Sequence, residues 1–370
     1  MKKLLYIIVL AFCAPLTLFS SHNVTNYLTY ESIGTNQVRI HSFVITECVG
    51  LFQPGYIYNF PNTLAPTIPS GCTGPTAIGT PVSYPGVEIS PIAPGVATSC
   101  TNSSSPVYGL VEFERTFDFD FSAATCSHYT FSFSLCCRNG NATTVVNANT
   151  TEVEANLLIF QAAITTGSSL GKPREVQPYY LERKASGPDH ITFDLGREDT
   201  ELDSFVYFFD SLQSTTPLSN VAGITAFNPM GSDYNMDLHQ DYGFLTIDHN
   251  AVSSPMNALI GVGGAEYRNG QILSSFNYDF PLATITSPQT LIPSAEPNHT
   301  GLTAVTNGQL LNADSAFIPV GGQACIEYSS TPTGPGVLSQ MNGYFFGPGS
   351  YEFQNTSNLP ENPTTGINAT

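Results

Sequence analysis

The sequence predicts an all-β protein made of disulfide-linked β-sandwich domains. Only 11% of its 370 residues are charged, so the Glu, Lys and Arg residues that favour long helices are scarce, whereas 24 Phe and 18 Tyr residues favour strands. Apolar and polar residues alternate in several segments that are bounded by Gly, Pro and Asn. Six cysteines lie between residues 48 and 137, as is typical of exported proteins. We therefore expect many short strands, separated by turns and arranged as sandwiches.

The strongest strand pattern covers residues 111–121. Its apolar side chains recur at alternate positions, which predicts a half-buried strand, and residues 129–135 repeat the pattern. Asn269-Gly270 separates two apolar segments and predicts a two-residue hairpin turn. Further strands are predicted at 37–47, 156–163, 190–194, 204–210, 243–248, 257–267 and 271–281.

The charge balance argues against nucleic-acid partners. The chain has 29 acidic and 11 basic residues and a formal net charge of −18 at pH 7. A charge of this sign repels both a phosphate backbone and an anionic membrane surface. We therefore expect neither a nucleic-acid binder nor a protein that docks on anionic lipid.

Residues 1–21 have the pattern of a cleaved secretory signal peptide. Lys2 and Lys3 precede an apolar run that ends in small residues. A membrane anchor is the weaker alternative, because Pro15 interrupts the run and a membrane span needs ~20 apolar residues. A lipid anchor on Cys13 is another alternative. We expect a secreted, cell-surface-associated chain with no transmembrane segment after the leader.

The cysteines predict three disulfides. Seven cysteines follow the leader, and an even set of six in an exported chain indicates a disulfide framework. A zinc site would need a Cys-x2-Cys spacing, which is missing. The pairing stays open, although strand alternation places Cys136 and Cys137 on opposite faces, and Cys325 is left over. The six are Cys48, Cys72, Cys100, Cys126, Cys136 and Cys137.

Composition suggests where the chain divides. Gly and Pro clusters near residues 166–175 and 287–297 are the natural boundaries, and the stretch from Pro54 to Pro106 is expected to be irregular and pinned by cysteines. The predicted order is a signal peptide (1–21), a disulfide-rich β-sandwich domain (22–168), a second β-sandwich domain (169–286), a C-terminal β segment (287–354) and a polar, disordered tail (355–370).

Several motifs occur in the same order as in one group of bacterial proteins. Cys136-Cys137-Arg138-Asn139 and Glu266-Tyr267-Arg268-Asn269-Gly270 are the most distinctive, and the segments at 21–30 and 199–207 add to them. They resemble the Cys-Cys-Arg-Asn, Glu-Tyr-Arg-Asn-Gly, Thr-His-Ile-Val-Gly-Gly…Ile-Thr-Tyr and Asp-x-Asp-Gly-Asp-Ser-Leu-x-Tyr motifs of large secreted Bacteroidetes surface proteins. These proteins are of the gliding-motility-associated, adhesin-like type.

The resemblance implies tandem Ig-like or cadherin-like β-sandwich domains on a surface protein with no known catalysis. The chain departs from the group at two positions: Leu202 replaces the Gly of the acidic loop, and His239 stands where an Asp would follow. A C-terminal secretion domain of the kind that these proteins often carry is not recognisable either. The export route beyond the inner membrane therefore stays open.

The acidic loop at 199–203 suggests a structural calcium site. Asp199, Glu201 and Asp203 alternate before a predicted strand, and Glu266 could add one more ligand. Calcium takes six to eight oxygen ligands in flexible geometry, which suits such a loop. The alternative is a solvated acidic turn, because the missing Gly hinders a sharp loop.

No pattern in the chain favours catalysis. Gly167-Ser168-Ser169-Leu170-Gly171 fits the Gly-x-Ser-x-Gly elbow of α/β-hydrolases, but Lys172-Pro173 follows where that elbow needs a helix. We expect a non-enzymatic, exported cell-surface protein with a structural or adhesive role, such as a subunit of an extracellular filament that binds copies of itself. The alternative is a monomeric glycan- or protein-binding module, and a carboxylate-based hydrolase is a distant one.

Overall fold

The structure, a computed structural model, confirms the predicted all-β sandwich fold with disulfides. Antiparallel sheets account for most of the part that it describes, and one short helix accompanies them. The described residues are 23–48, 52–90, 97–103, 105, 109–136, 138, 143–145, 152–174, 179–182, 189–197, 201, 203–212, 220–232, 234–249, 257–285, 298–306, 309–312, 315–317 and 323–329.

The strands and the helix are numbered here in chain order. They are β1 Asn23–Gly34, β2 Gln37–Glu47, β3 Pro66–Thr67, β4 Thr76–Ser83, β5 Val87–Glu88, β6 Leu110–Asp120, β7 His128–Cys136, β8 Glu152–Phe160, α1 Gln161–Thr166, β9 Tyr179–Glu182, β10 Asp189–Asp194, β11 Ser204–Asp210, β12 Tyr234–Leu238, β13 Phe244–His249, β14 Asn257–Arg268, β15 Gln271–Ile285, β16 Asn298–Thr306, β17 Gln309–Asn312, β18 Ser315–Phe317 and β19 Gln323–Ser329.

Two large sheets form the body of the first unit of the chain. The five-stranded sheet has the order β1-β2-β6-β4, with β5 also paired to β6. The seven-stranded sheet has the order β11-β14-β15-β8-β7-β3, with β9 added in parallel to β15. The sheets meet through rings such as Phe119 and Phe131, whose centroids are 5.0 Å apart. A smaller sheet of order β10-β13-β12 completes the unit, and it buries Leu245 and Ile247.

The alternating segments form the predicted strands. In β7, every second side chain from Tyr129 to Leu135 is buried, and β8 shows the same alternation. The Asn269-Gly270 turn joins β14 to β15, and both residues have the positive φ values, 53° and 78°, that a type I′ turn requires. In these segments the residue pattern predicted both the strands and the turn.

Strands β1 and β4 are not among the strands that the sequence predicts. β1 is buried on both faces along most of its length, so it lacks the alternation of apolar and polar residues that marks a half-buried strand. Its polar residues hydrogen bond across the sandwich: Asn26 Nδ2 donates to the Val153 carbonyl at 2.9 Å. β4 lies in the stretch that was expected to be irregular, and it is exposed, with Gly79 and Pro81 inside it.

The predicted division between residues 168 and 169 does not separate two sheets. Strand β8, before it, pairs with β15, after it, in the seven-stranded sheet. One compact unit therefore extends from β1 to β15, and a second contains β16 to β19, where β16 pairs with β19 and β17 with β18. A period-two pattern marks a strand but not its partner, which explains the difference. The predicted tail at 355–370 and the leader at 1–21 lie outside the described residues.

Two of the expected disulfides are visible in the described part of the chain. Cys48 pairs with Cys100 and Cys72 with Cys126, and both bonds hold the long connection between β2 and β6 against the sheets. Cys136 is also disulfide-bonded. Cys137 lies outside the described residues. In the same described part, no helix is long and apolar enough to cross a bilayer.

Candidate functional site

A group of polar side chains lies buried between β1, β14 and the loop after α1. We call it the buried acid cluster, and its members are Tyr30, Ser168, Asp203, Glu266, Arg268 and Ser274. Glu266 is fully buried on β14. Its carboxyl oxygens accept hydrogen bonds from the hydroxyl groups of Ser274 at 2.6 Å, Ser168 at 2.7 Å and Tyr30 at 2.8 Å.

Local structure explains how these hydroxyl groups reach one carboxyl. Ser274 stands directly opposite Glu266 in the β14–β15 register, so both side chains lie on one face. Gly167 ends α1 in the left-handed conformation, with φ at 68°, and turns the chain toward β1. Leu170 then exchanges backbone hydrogen bonds with Tyr30, which holds Ser168 in place.

Asp203 connects the cluster to a positive charge. The Arg268 guanidinium donates two hydrogen bonds to its carboxylate, both at 2.7 Å, which is the fork geometry of a strong ion pair. The Ser168 hydroxyl lies 3.2 Å from the same carboxylate. The loop before β11 is thereby tied to the end of β14.

The two carboxyl groups differ sharply in acidity. Burial raises the pKa of Glu266 to about 7, against the opposing effect of its three hydroxyl donors. Burial also acts to raise the pKa of Asp203, but the hydrogen bonds and charge of Arg268 outweigh it and lower that pKa below its ordinary value. A hydrogen bond between the two carboxyl groups separates the values further. At mildly acidic pH, below about 7, the pair therefore carries one proton, held by Glu266.

The structure brings together only part of the expected calcium ligand set. Asp203 and Glu266 are neighbours, but Arg268 already supplies the charge that balances Asp203. Glu201 is exposed and accepts a hydrogen bond from Ser169 at 2.7 Å. Asp199 lies outside the described residues, and the described part contains no group of three or more His, Cys, Asp or Glu side chains placed to hold a metal. Calcium at this loop stays a prediction.

The Arg of the Cys-Cys-Arg-Asn motif also belongs to the interior. Arg138 forms an ion pair with Asp279 of β15, and both side chains are almost completely buried. Burial raises the pKa of Asp279 above its ordinary value, although the charge of Arg138 acts in the opposite direction. The most distinctive motif of the chain thus supplies the cation of a buried ion pair.

A second buried cation was not foreseen from the sequence. The Arg197 guanidinium lies 4.1 Å from the centre of the Phe276 ring and 5.2 Å from that of Tyr278. It donates to the Gly171 carbonyl at 3.2 Å, and burial lowers its pKa. Ring faces attract a desolvated guanidinium, so the aromatic residues of β15 take the role of a counter-charge. A lone Arg after a strand gives no sequence signal for this arrangement.

One small cavity opens near the end of β11. Its volume is about 250 Å³, and the apolar side chains of Leu212, Ile224, Pro229 and Leu259 share its lining with the polar ones of Asp210, Asn220 and Thr225. Phe227, beside this lining, is largely exposed. None of the residues of the buried acid cluster lines it.

A comparison of the chain with protein-family models, with curated proteins and with solved structures found no match.

Proposed function

We propose that this chain is an exported, non-enzymatic surface protein with a structural or adhesive role. The proposal depends mainly on one observation: the ionisable side chains of the candidate site are buried and paired with other side chains of the sandwich. Glu266, Asp203, Arg138 and Asp279 are buried and bonded to other side chains of the sandwich, where they hold strands together. An enzyme keeps such groups at a cleft, within hydrogen-bond reach of its substrate.

The leader and the disulfides support the extracellular part of the proposal. The disulfides Cys48–Cys100 and Cys72–Cys126 form and persist in oxidising compartments. The N-terminal 21 residues have the pattern of an export signal. A low density of charge and two sheets packed through aromatic residues suit a rigid surface module.

The second candidate is a monomeric glycan- or protein-binding module. The cavity near β11 favours it, because Asp210, Asn220 and Thr225 offer hydrogen-bonding groups beside apolar walls. The exposed ring of Phe227 could add a stacking surface. A soluble glycan that bound there and slowed exchange of the 220–229 amides would favour this candidate.

The experiment compares intact cells that carry or lack the chain. Antibodies against the purified protein should label unpermeabilised cells, and cells without the chain should attach less well to surfaces or to one another. Expression of the Glu266→Gln variant should restore attachment to the wild-type level, because Gln keeps the shape of the side chain and the surrounding hydroxyl groups can rotate to accept from its amide N–H groups. Labelling only after permeabilisation, or loss of attachment in this variant with normal surface amounts, would contradict the proposal.

A further inference from the structure

The loop at 220–231 carries the most exposed aromatic side chain of the described part of the chain. Phe227 is 74% exposed. It belongs to a tight turn in which Thr225 and Asn228 exchange backbone hydrogen bonds at 3.2 and 3.3 Å. The Asn228 N–H also donates to the Thr225 hydroxyl at 3.0 Å. Several hydrogen bonds therefore fix the backbone that presents the Phe227 ring to solvent.

The cavity at the end of β11 lies beside this turn. Thr225, Ala226 and Pro229 line it from the loop, while Asp210 and Leu259 line it from the seven-stranded sheet. Phe227 lies between lining residues in the sequence. A ligand in the cavity is therefore within reach of an aromatic ring that the fold leaves exposed.

Hydrogen bonds and one glycine form the cavity before any ligand arrives. Gly261 stands opposite Asp210 in the register of β11 and β14, and a Cβ on Gly261 would lie 2.5 Å from the Asp210 carbonyl oxygen. Only glycine allows this close approach. The Val221 N–H donates to the Thr144 carbonyl at 3.0 Å, and the Leu259 N–H donates to the Thr144 hydroxyl at 3.1 Å. The loop and β14 are thus tied to one residue.

The polar groups of the lining suit a ligand that carries hydroxyl groups. The Ser211 N–H and the Asn277 side chain donate to the Asp210 carboxylate at 2.7 and 3.4 Å, which fixes its orientation. A carboxylate accepts about four hydrogen bonds. Asn220 adds an amide and Thr225 a hydroxyl, and each of these groups both donates and accepts. A hydroxyl group of a ligand can pair with any of the three.

The other properties of the lining exclude two classes of ligand. A purely apolar ligand would bury the amide and the carboxylate without hydrogen-bond partners, which is costly. An anion would meet Asp210, which carries the only charge among the described lining residues, in a chain of net charge −18. A neutral ligand with both polar and apolar surfaces remains.

Size and shape narrow this class to one sugar ring. The cavity volume of about 250 Å³ lies below the range of roughly 300–1,000 Å³ of ordinary ligand pockets, so a single ring fits better than a chain. A sugar ring has hydroxyl groups around its edge and C–H groups on its faces. The C–H faces match the apolar walls of Leu212, Ile224 and Leu259 and the ring of Phe227.

We infer that this cavity binds one neutral sugar ring, the terminal unit of a glycan. Asp210, Asn220 and Thr225 hydrogen bond to its hydroxyl groups, and Phe227 packs against a C–H face. The inference rests on the adhesive form of the proposed function and names the class of ligand for it.

The test mixes the purified chain with the methyl glycosides of glucose, galactose, mannose and N-acetylglucosamine. Glucuronate and galacturonate are the anionic probes. Saturation-transfer NMR detects binding, and hydrogen exchange locates it. At least one neutral glycoside should bind with a Kd of about 1 mM or tighter and should slow exchange of the amides at 220–229. The anionic probes should bind about tenfold more weakly or less, because their carboxylate is brought close to Asp210.

Variants assign the roles of two residues. Phe227→Ala should weaken binding of the neutral glycoside about two- to tenfold, since it removes the stacking surface. Tyr56→Ala removes an exposed ring that lies outside the lining, and as the matched control it should leave binding unchanged. Asp210→Asn keeps the shape of the side chain without its charge, so it should narrow the difference between neutral and anionic probes.

Four outcomes would overturn the inference. The first is that no neutral glycoside binds, and the second is that the anionic probes bind as tightly as the neutral ones. The third is an equal effect of Phe227→Ala and Tyr56→Ala. The fourth is a tripeptide of lysine that slows exchange at 220–229 at a lower concentration than any glycoside, because the partner would then be a basic protein.

Failure of the inference and failure of the proposed function can be distinguished. Cells that attach through the chain although no glycoside binds to it would leave the proposed function standing. Glycoside binding by a chain that antibodies label only after permeabilisation would overturn the proposed function alone.

Discussion

At the scale of single residues, the buried acid cluster makes the stability of the fold depend on pH. Folding holds the proton of Glu266 up to a pH of about 7, whereas an unfolded Glu releases it near a pH of about 4.3. Between these values the folded chain binds more protons than the unfolded chain. The free energy of unfolding therefore falls as the pH rises through this window, and it levels off above it.

Glu266→Gln should remove this dependence. From a pH of about 4.5 to about 7, the wild-type chain should lose about 3 kcal/mol of unfolding free energy relative to the variant. The lowered pKa of Asp203 acts in the opposite sense but at lower pH, so it lies outside this window. Denaturant titrations of both chains at several pH values measure the difference. Parallel pH curves would show that Glu266 ionises in the folded chain as it does in water.

The buried pair of Arg138 and Asp279 predicts a strongly non-additive mutant cycle. Arg138→Met leaves a buried carboxylate without its counter-charge and should cost about 3–5 kcal/mol of unfolding free energy. Adding Asp279→Leu removes the second charge and should restore most of that loss. Denaturant titrations of the single and double variants measure the coupling. If the two losses simply added, the pair would not act as a unit.

At the scale of elements, the long connection between β2 and β6 depends on its disulfides. It contains β3, β4 and β5, of which β3 and β5 are only two residues long, and so few backbone hydrogen bonds fix it. The Cys72–Cys126 bond closes a loop with a sequence separation of 54. It joins this connection to the chain just before β7.

Replacing Cys72 and Cys126 by Ser should therefore destabilise the chain by about 4 kcal/mol, the loop-closure entropy for this separation. Faster hydrogen exchange should be concentrated between residues 66 and 90. Calorimetry and exchange measurements on the double variant check both statements. The uniform loss of protection in every strand would instead mean that this connection unfolds only with the whole unit.

Local patterns predicted the elements better than they predicted their partners. The alternation at 129–135 and the Asn269-Gly270 turn depend on neighbouring residues only, and both are found as expected. The pairing of β8 with β15 joins segments more than 100 residues apart, and no short-range pattern encodes it. Sequence analysis thus placed a domain boundary where the structure has a shared sheet.

The same limit applies to the candidate site. The acidic pattern drew attention to Asp203 and Glu266, but it could not show that Arg268 and the hydroxyl of Ser168 meet them. Ser168 belongs to a Gly-rich segment that the sequence predicts to be a domain boundary. Its role follows from the docking of that segment on Tyr30, which is a tertiary contact. The carboxylates that suggest a cation site also accept hydrogen bonds from the chain's own donors.

At the scale of the whole molecule, net charge should oppose folding. The 29 acidic residues far outnumber the 11 basic ones, so the compact state concentrates negative charge. Partly exposed ion pairs such as Arg39 with Asp118 are too few to balance this excess of carboxylates. Screening should therefore relieve more repulsion than it removes attraction.

Raising the NaCl concentration from about 0.05 to about 0.5 M shortens the Debye length from over about 10 Å to under about 8 Å. The midpoint temperature of unfolding should then rise by about 2–4 °C. The measurement is repeated at several protein concentrations, because any association would by itself stabilise the chain. An equal concentration of a neutral solute such as glycine controls for general solute effects. A midpoint that fell with salt would mean that the ion pairs of the sheets, rather than the excess of carboxylates, dominate the electrostatic free energy of the fold.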